Sequence, residues 1–335
     1  KIESAKKCFE QLEKEIPKNE LVLQNLSLIY YKLKYFEKSE NKLTDILNLG
    51  KKEKKIFSML FRVLIAQDKI EKLKYYIDIA IKEKCVDEKY KIVKNIIFPK
   101  INLSDEEIKI YRENTNKYLD NFLNSNENID LDVDDQLIEP PSFNYSYDQF
   151  DNLELNKKFV KLFKKIYPKL NKNINLNSSK SKKITIGFIS EFFTQHTIGK
   201  LFKGTIFELN QEKFDIHVFH TLRTKKGKIY SAFLEKEINS NLKNHILPEK
   251  FDEKIKVIKN NNLDIIFYPD ISMSSELYYL TFLKLAQYQL VSWGHPESTG
   301  NSKIDYFLSS KLLEDQNGQK HYFEKLVLFK NLPMY

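Results

Sequence analysis

Cysteine is nearly missing from this chain of 335 residues: only Cys8 and Cys85 occur, each isolated within a helical pattern. Two lone thiols in so long a chain exclude a disulfide framework and a cysteine-based zinc site, and they fit a reducing, cytoplasmic setting. No run approaches the ~18 consecutive apolar residues that a membrane-spanning helix needs. No signal peptide is visible, although the chain begins at Lys1 in mid-pattern and reads as a fragment. Glycine is scarce, at 8 residues. No GxSxG elbow is present, and the loop after the first strand-like run is not GxGxxG, so a dinucleotide fingerprint is absent. No His/Cys/Asp cluster has the spacing of a metal site, so no metal is expected.

What is present is a folded-protein composition with a basic surplus. Hydrophobic residues make up 41%, and 55 Lys+Arg stand against 46 Asp+Glu, a formal charge of +9. The lysines are interleaved with acidic residues along the whole chain. The charge therefore reads as compositional bias, and nucleic acid is not expected as a partner. The length points to two or three domains.

Residues 1–90 carry an internal repeat. Ala5, Phe9, Leu12 and Pro17 recur as Ser39, Leu43, Ile46 and Lys51, then as Leu73, Ile77, Ala80 and Cys85; Leu26 and Tyr30 recur as Leu60 and Leu64. The period of 34 residues is that of tetratricopeptide repeats. In the middle unit the spacing predicts helices over 21–32 and 35–47. Such pairs bury their apolar faces only against neighbours. The array is either a concave peptide-binding surface or a supporting solenoid.

Residues 91–182 are less regular. Ser104 with Glu107 reads as a capping box opening a helix over 105–123. Residues 124–135 read as an exposed acidic loop, and Pro140-Pro141 as a break. Residues 142–147, SFNYSY, are rich in aromatics. Residues 153–167 place Leu155, Phe159, Leu162, Phe163 and Ile166 on one helical face. Residues 171–183 read as a polar linker.

From 183 to 335 the pattern changes. Short β-rich runs at 184–189, 214–219, 264–268, 288–293, 304–308 and 325–329 alternate with helical stretches at 199–209, 228–239, 252–260 and 276–285. This alternation predicts a parallel, doubly wound α/β domain. Ligands of such sheets bind at the carboxyl ends of the strands, so those ends hold the candidate site. After the first run, His196 stands where a helix begins. It reads as a base or phosphate contact, or as an exposed loop histidine. After the third, Asp270 orients a hydroxyl or takes a proton, or simply forms a turn. After the fourth comes QLVSWGHPESTG (289–300), with the single Trp of the chain. It is either a site rim or a strand followed by an ordinary turn. His217, His220, His245 and His321 are weaker candidates.

The degenerate repeats, the FNYSY segment, SEFFTQHTIGKL (190–201), FYPDISM (267–273), the 289–300 stretch with IDYFLSS (304–310), and HYFEKLVLFKNLP (321–333) together resemble the protein O-linked N-acetylglucosamine transferase family. That family includes SPINDLY-like and bacterial members and is related to protein N-glucosyltransferases. The resemblance implies an α + α/β architecture: a tetratricopeptide-like solenoid, then the first Rossmann-like lobe of a GT-B glycosyltransferase. It also implies inverting, metal-free transfer of a sugar, N-acetylglucosamine being favoured, from a UDP-sugar to Ser or Thr of a polypeptide acceptor. Under the resemblance His196 is the catalytic candidate, and Asp270, His295, Pro296, Ser298 and Thr299 bind substrate. The sequence departs from the animal enzymes at Thr197-Ile198, where they carry Pro-Thr, which leaves the sugar and the acceptor atom open. The chain stops at Tyr335, where the family crosses into its second lobe, so the expectation for this chain alone is little or no transfer. The alternatives are a non-catalytic tetratricopeptide scaffold with a degenerate sugar-binding lobe, and a protein N-glucosyltransferase.

Overall fold

In the computed structural model, residues 1–101, 104–176, 181–194, 196–221 and 242–334 are described. The helix expected over 228–239 lies outside these residues. The chain divides into two compact units, Lys1–Thr115 and Asn116–Tyr335.

The first unit is helical: α1 (Ile2–Glu15), α2 (Glu20–Lys32), α3 (Phe36–Asn48), α4 (Lys54–Ala66), α5 (Ile70–Lys82), α6 (Lys89–Ile96) and the start of α7 (Asp105–Asn124). Consecutive helices pack on one another. The repeat positions Leu43, Ile46, Leu60, Leu64, Leu73, Ile77 and Ala80 form one core. Ser39, at the small position of its helix, is buried and donates to the Ser27 carbonyl (2.8 Å), so the hydroxyl costs nothing there.

The period is also written into the turns. Lys34 and Asp68 follow α2 and α4 with φ of 61° and 56°, and Gly50 and Lys84 follow α3 and α5 with φ of 80° and 57°. At each, the next amide closes back on the last helical turn: Tyr35 to Tyr30 (2.8 Å), Lys69 to Leu64 (3.0 Å), Lys51 to Ile46 (3.3 Å) and Cys85 to Ala80 (2.8 Å). This is a Schellman ending, repeated at the 34-residue spacing. It corrects one expectation: Cys85 lies in the turn after α5, not in a helix, and its thiol donates to the Lys52 carbonyl (2.8 Å). Both cysteines are free. Ser104 caps α7 as expected, accepting from the Glu107 amide at 3.1 Å.

The second unit adds α8 (Ser142–Tyr145) and α9 (Leu153–Ile166), then a sheet of seven strands: β1 (Ile184–Ile189), β2 (Phe214–Thr221), β3 (Lys243–Leu247), β4 (Ile265–Tyr268), β5 (Tyr288–Ser292), β6 (Tyr306–Ser310) and β7 (Lys325–Phe329). All pairings are parallel, in the order β3-β2-β1-β4-β5-β6-β7. β1 lies between β2 and β4, so the strand order reverses at β1/β4. Helix α10 (Thr197–Phe207) sets Ile198, Phe202 and Ile206 against Ile186, Phe188, Ile216, Val218 and Phe267 of the sheet. Among the described residues the remaining α-helices are α11 (Phe251–Lys259) and α12 (Ser275–Leu280). The architecture is thus the expected helical array followed by a Rossmann-like α/β lobe. Among the described residues no helix is long and apolar enough to cross a membrane.

Candidate functional site at the strand-order reversal

In a doubly wound sheet the loops leaving the two strands at the reversal diverge and open a crevice. Here those loops start at Ser190 and at Pro269-Asp270. The Ser190 hydroxyl donates to Asp270 Oδ2 at 2.9 Å, so one side-chain bond ties the two strand ends together across the reversal. The same hydroxyl accepts from the Phe192 amide (2.8 Å), which starts a tight turn. Thr194 then bonds back to the Phe192 carbonyl (2.7 Å), and its own hydroxyl accepts from the His196 amide (3.2 Å).

His196 ends this loop as the N-cap of α10. Its Nδ1 accepts from the Ile198 amide at 3.3 Å. A neutral imidazole that accepts at Nδ1 carries its proton on Nε2, so His196 presents a donor. Its ring packs against Phe192, with centroids 4.6 Å apart. Gly199 is required here: a Cβ would lie 2.9 Å from the Thr194 amide nitrogen.

Asp270 is 3% exposed. Burial pushes its carboxyl up to about 7, the Ser190 hydrogen bond pulls the other way, and the nearby Glu191 charge adds to the rise. Two residues on, Ser272 holds a left-handed φ of 77°. Such strain in a non-glycine residue persists only where its surroundings impose it.

The loop after β5 is built onto this one. The Gly294 amide donates to the Pro269 carbonyl (2.8 Å), and a Cβ on Gly294 would lie 2.7 Å from Asp270 Cα. Trp293 anchors the strand end by donating to Ser309 Oγ (2.7 Å). His295 is 3% exposed, and burial alone lowers its imidazole to about 4. Its Nε2, like the Tyr268 and Ser274 hydroxyls on the same rim, finds no hydrogen-bond partner among the described residues. Buried polar atoms of this kind are few in folded proteins.

No protein-family model matches the sequence, and no curated protein matches it. A solved structure does resemble the fold: a mutant of the O-GlcNAc transferase of Thermobaculum terrenum, with a TM-score of 0.57 at 11% sequence identity. The match covers 99% of this chain and 55% of that one, so this chain spans about half the length of its structural neighbour. The likeness is one of fold.

The structure thus brings His196, Asp270 and His295 to the carboxyl edge of β1, β4 and β5. Pro296 is exposed beside them. Ser298 and Thr299 are placed differently. Both are buried, and both hydroxyls donate to Glu324, which also accepts from the Thr299 amide (2.8 Å). Asn156 of α9 holds the Ser298 carbonyl (2.9 Å), and Gly300 turns with φ 63° against the α9 backbone. These hydroxyls form a clamp within the chain. Ser190 and Glu324 carry no role in the sequence reading. Ser190 is legible in retrospect as the first residue beyond β1. Glu324 carries no signal, because its partners lie about 25 residues earlier in the chain.

Proposed function

We propose that this chain is part of a protein glycosyltransferase, and that the edge built from 190–196, 269–273 and 293–296 forms one wall of its transfer cleft. The observation carrying this reading is the Ser190–Asp270 bond across the strand-order reversal, with His196 capping the helix beside it. A fold shared with an O-GlcNAc transferase supports it. The proposed reaction is inverting transfer of N-acetylglucosamine from a UDP-sugar to a Ser or Thr hydroxyl of a polypeptide, which the helical repeats hold. A second lobe completes the cleft. No metal is invoked. The leaving diphosphate is stabilised by the amide end of α10 and by the Nε2–H of His196. Asp270, with a carboxyl near 7, orients or deprotonates the attacking hydroxyl. The two unpaired cysteines fit a cytoplasmic setting.

The test is intact-mass analysis of acceptor proteins incubated with the protein expressed from its complete gene and one nucleotide sugar at a time. An increment of one sugar is expected, and no increment with any donor refutes the reading. His196→Asn separates the roles of the imidazole, because Asn retains the helix cap. Loss of transfer in both His196→Ala and His196→Asn, with the fold intact, assigns the chemistry to the imidazole. Full activity in His196→Asn leaves only a capping role.

A further inference from the structure

Behind the 293–296 edge lies a cavity of about 180 Å³, walled by the start of α9, by Pro296-Glu297-Ser298, and by His321-Tyr322 ahead of β7. It opens to solvent, and its size suits a small ring rather than an extended ligand. We propose that this cavity binds a neutral monosaccharide unit.

The lining is the chemistry of hydroxyl recognition. Two aromatic residues, Phe150 and Tyr322, stand in the lining, where an aromatic edge or face can meet the C–H groups of a ring. Around them stand planar polar groups, each already fixed by a neighbour. Asn152 donates to Glu297 Oε1 (2.5 Å), and Asn156 donates to the Ser298 carbonyl (2.9 Å). At the mouth His321 meets Asp151 through Nδ1 and Oδ2 at 2.7 Å. With Nδ1 engaged by Asp151, Nε2 is the ring nitrogen left to exchange a hydrogen bond with a ligand hydroxyl. Asp151 is further held by the Leu153 amide (2.9 Å). Preorganised polar groups of this kind fix a ligand's orientation at little entropic cost.

The charge pattern excludes the donor's own diphosphate. No Lys or Arg lines the cavity among the described residues, and two carboxylates do. A phosphate brings only acceptors and negative charge to acceptors. A sugar hydroxyl both donates and accepts, and it serves carboxylate oxygens, amide groups and an imidazole nitrogen alike. Both carboxylates are already engaged, Asp151 by His321 and an amide and Glu297 by Asn152, so the cavity does not depend on an incoming cation. On the transferase reading, its occupant is a sugar already attached to a polypeptide, held beside the loop that carries His295. That last step rests on the reading above; the preference for a sugar does not.

Saturation-transfer NMR on this chain tests the proposal without any transfer reaction. The probes are methyl β-glucoside, N-acetylglucosamine, inorganic phosphate and lysine methylamide. The sugars are expected to receive saturation with dissociation constants of about 1–10 mM. Intermolecular NOEs should run from their ring protons to Phe150 and Tyr322. His321→Ala and Phe150→Ala should each weaken binding about tenfold, with far-UV circular dichroism reporting an intact fold. The proposal is overturned if the sugars receive no saturation, if phosphate or the lysine amide binds in their place, or if bound sugar shows no NOE to Phe150 or Tyr322. The NOEs decide the matter even where a variant fails to fold.

Discussion

Replacing Asp270 by Asn should make the second unit less sensitive to rising pH. The Asp270 carboxyl lies near 7 in the folded chain against 3.8 for an ordinary Asp, with burial the main cause. A raised folded-state value means that the neutral acid is the form the fold prefers. Its stabilising contribution is fully present below 3.8 and is lost as pH rises to 7. Between those limits each pH unit removes about 1.36 kcal/mol. From pH 5 to pH 7 the wild type should therefore lose about 2–3 kcal/mol, and above pH 7 the loss should level off. The Asn amide stays neutral throughout, and its carbonyl can still accept from Ser190. In a domain of this size ~1 kcal/mol moves the melting temperature by about 2–4 °C, so the gap between variant and wild type should widen by about 5–10 °C over that window. The assay is differential scanning calorimetry of both proteins at a series of pH values. Subtracting one from the other removes every titration they share. Parallel curves would refute the placement of a buried, largely neutral acid at the end of β4.

His295→Gln tests the opposite slope. The folded-state value near 4 lies below the ordinary 6.5, so the contribution of His295 is present above 6.5 and fades as pH falls toward 4. Urea unfolding should show the wild type losing about 2 kcal/mol between pH 6.5 and pH 5 that the variant keeps. Equal losses in both proteins would contradict the buried, unpartnered placement of the ring. Glu324→Ala leaves the Ser298 and Thr299 hydroxyls and the Thr299 amide without their acceptor, at an expected cost of about 3–5 kcal/mol, whereas Glu324→Gln retains part of the clamp and should cost less. The fluorescence of Trp293, the single tryptophan, should shift in the Ala variant; unchanged emission and stability would show that the clamp does not hold this loop.

The fold was legible wherever one physical pattern dominated. β1 and β4 are buried along nearly their whole length and read as apolar runs. The repeat was legible because the pairs α2/α3 and α4/α5 bury the same positions, although α1 buries none, and its turns repeat even where Lys34, Asp68 and Lys84 stand in place of glycine. β3, KNHIL, was missed. It is an edge strand that pairs only with β2, so polar side chains are tolerated along it and no hydrophobic period survives. The positions of His196, Asp270 and His295 beyond strand ends could be read because strand ends are local features. Their states could not. The neutrality of His295 comes from what is packed over it, and the commitment of Ser298 and Thr299 comes from Glu324 on another segment. Spacing within a motif carries no information about either.

Those states divide the work at the site. Gly294 lies directly on Asp270, so the two loops form one surface carrying one acid and one imidazole. Burial holds both in their neutral forms over the interval between about 4 and about 7. An ion pair there would have been the simpler way to satisfy both groups, and no Asp270–His295 hydrogen bond or salt bridge is found among the described residues. These two groups therefore add no fixed charge until Asp270 ionises near neutral pH. On the proposed reading, charge that develops on a leaving group is met elsewhere along the edge. The group positioned to meet it is the N-terminus of α10, whose amides are topped by a histidine turned into a donor by its own helix cap. On the proposed reading, the β4 and β5 loops handle the proton and the acceptor while the β1 loop handles the phosphate. Mutations in the first pair should then alter the pH profile of transfer, and His196 substitutions should lower its rate at every pH.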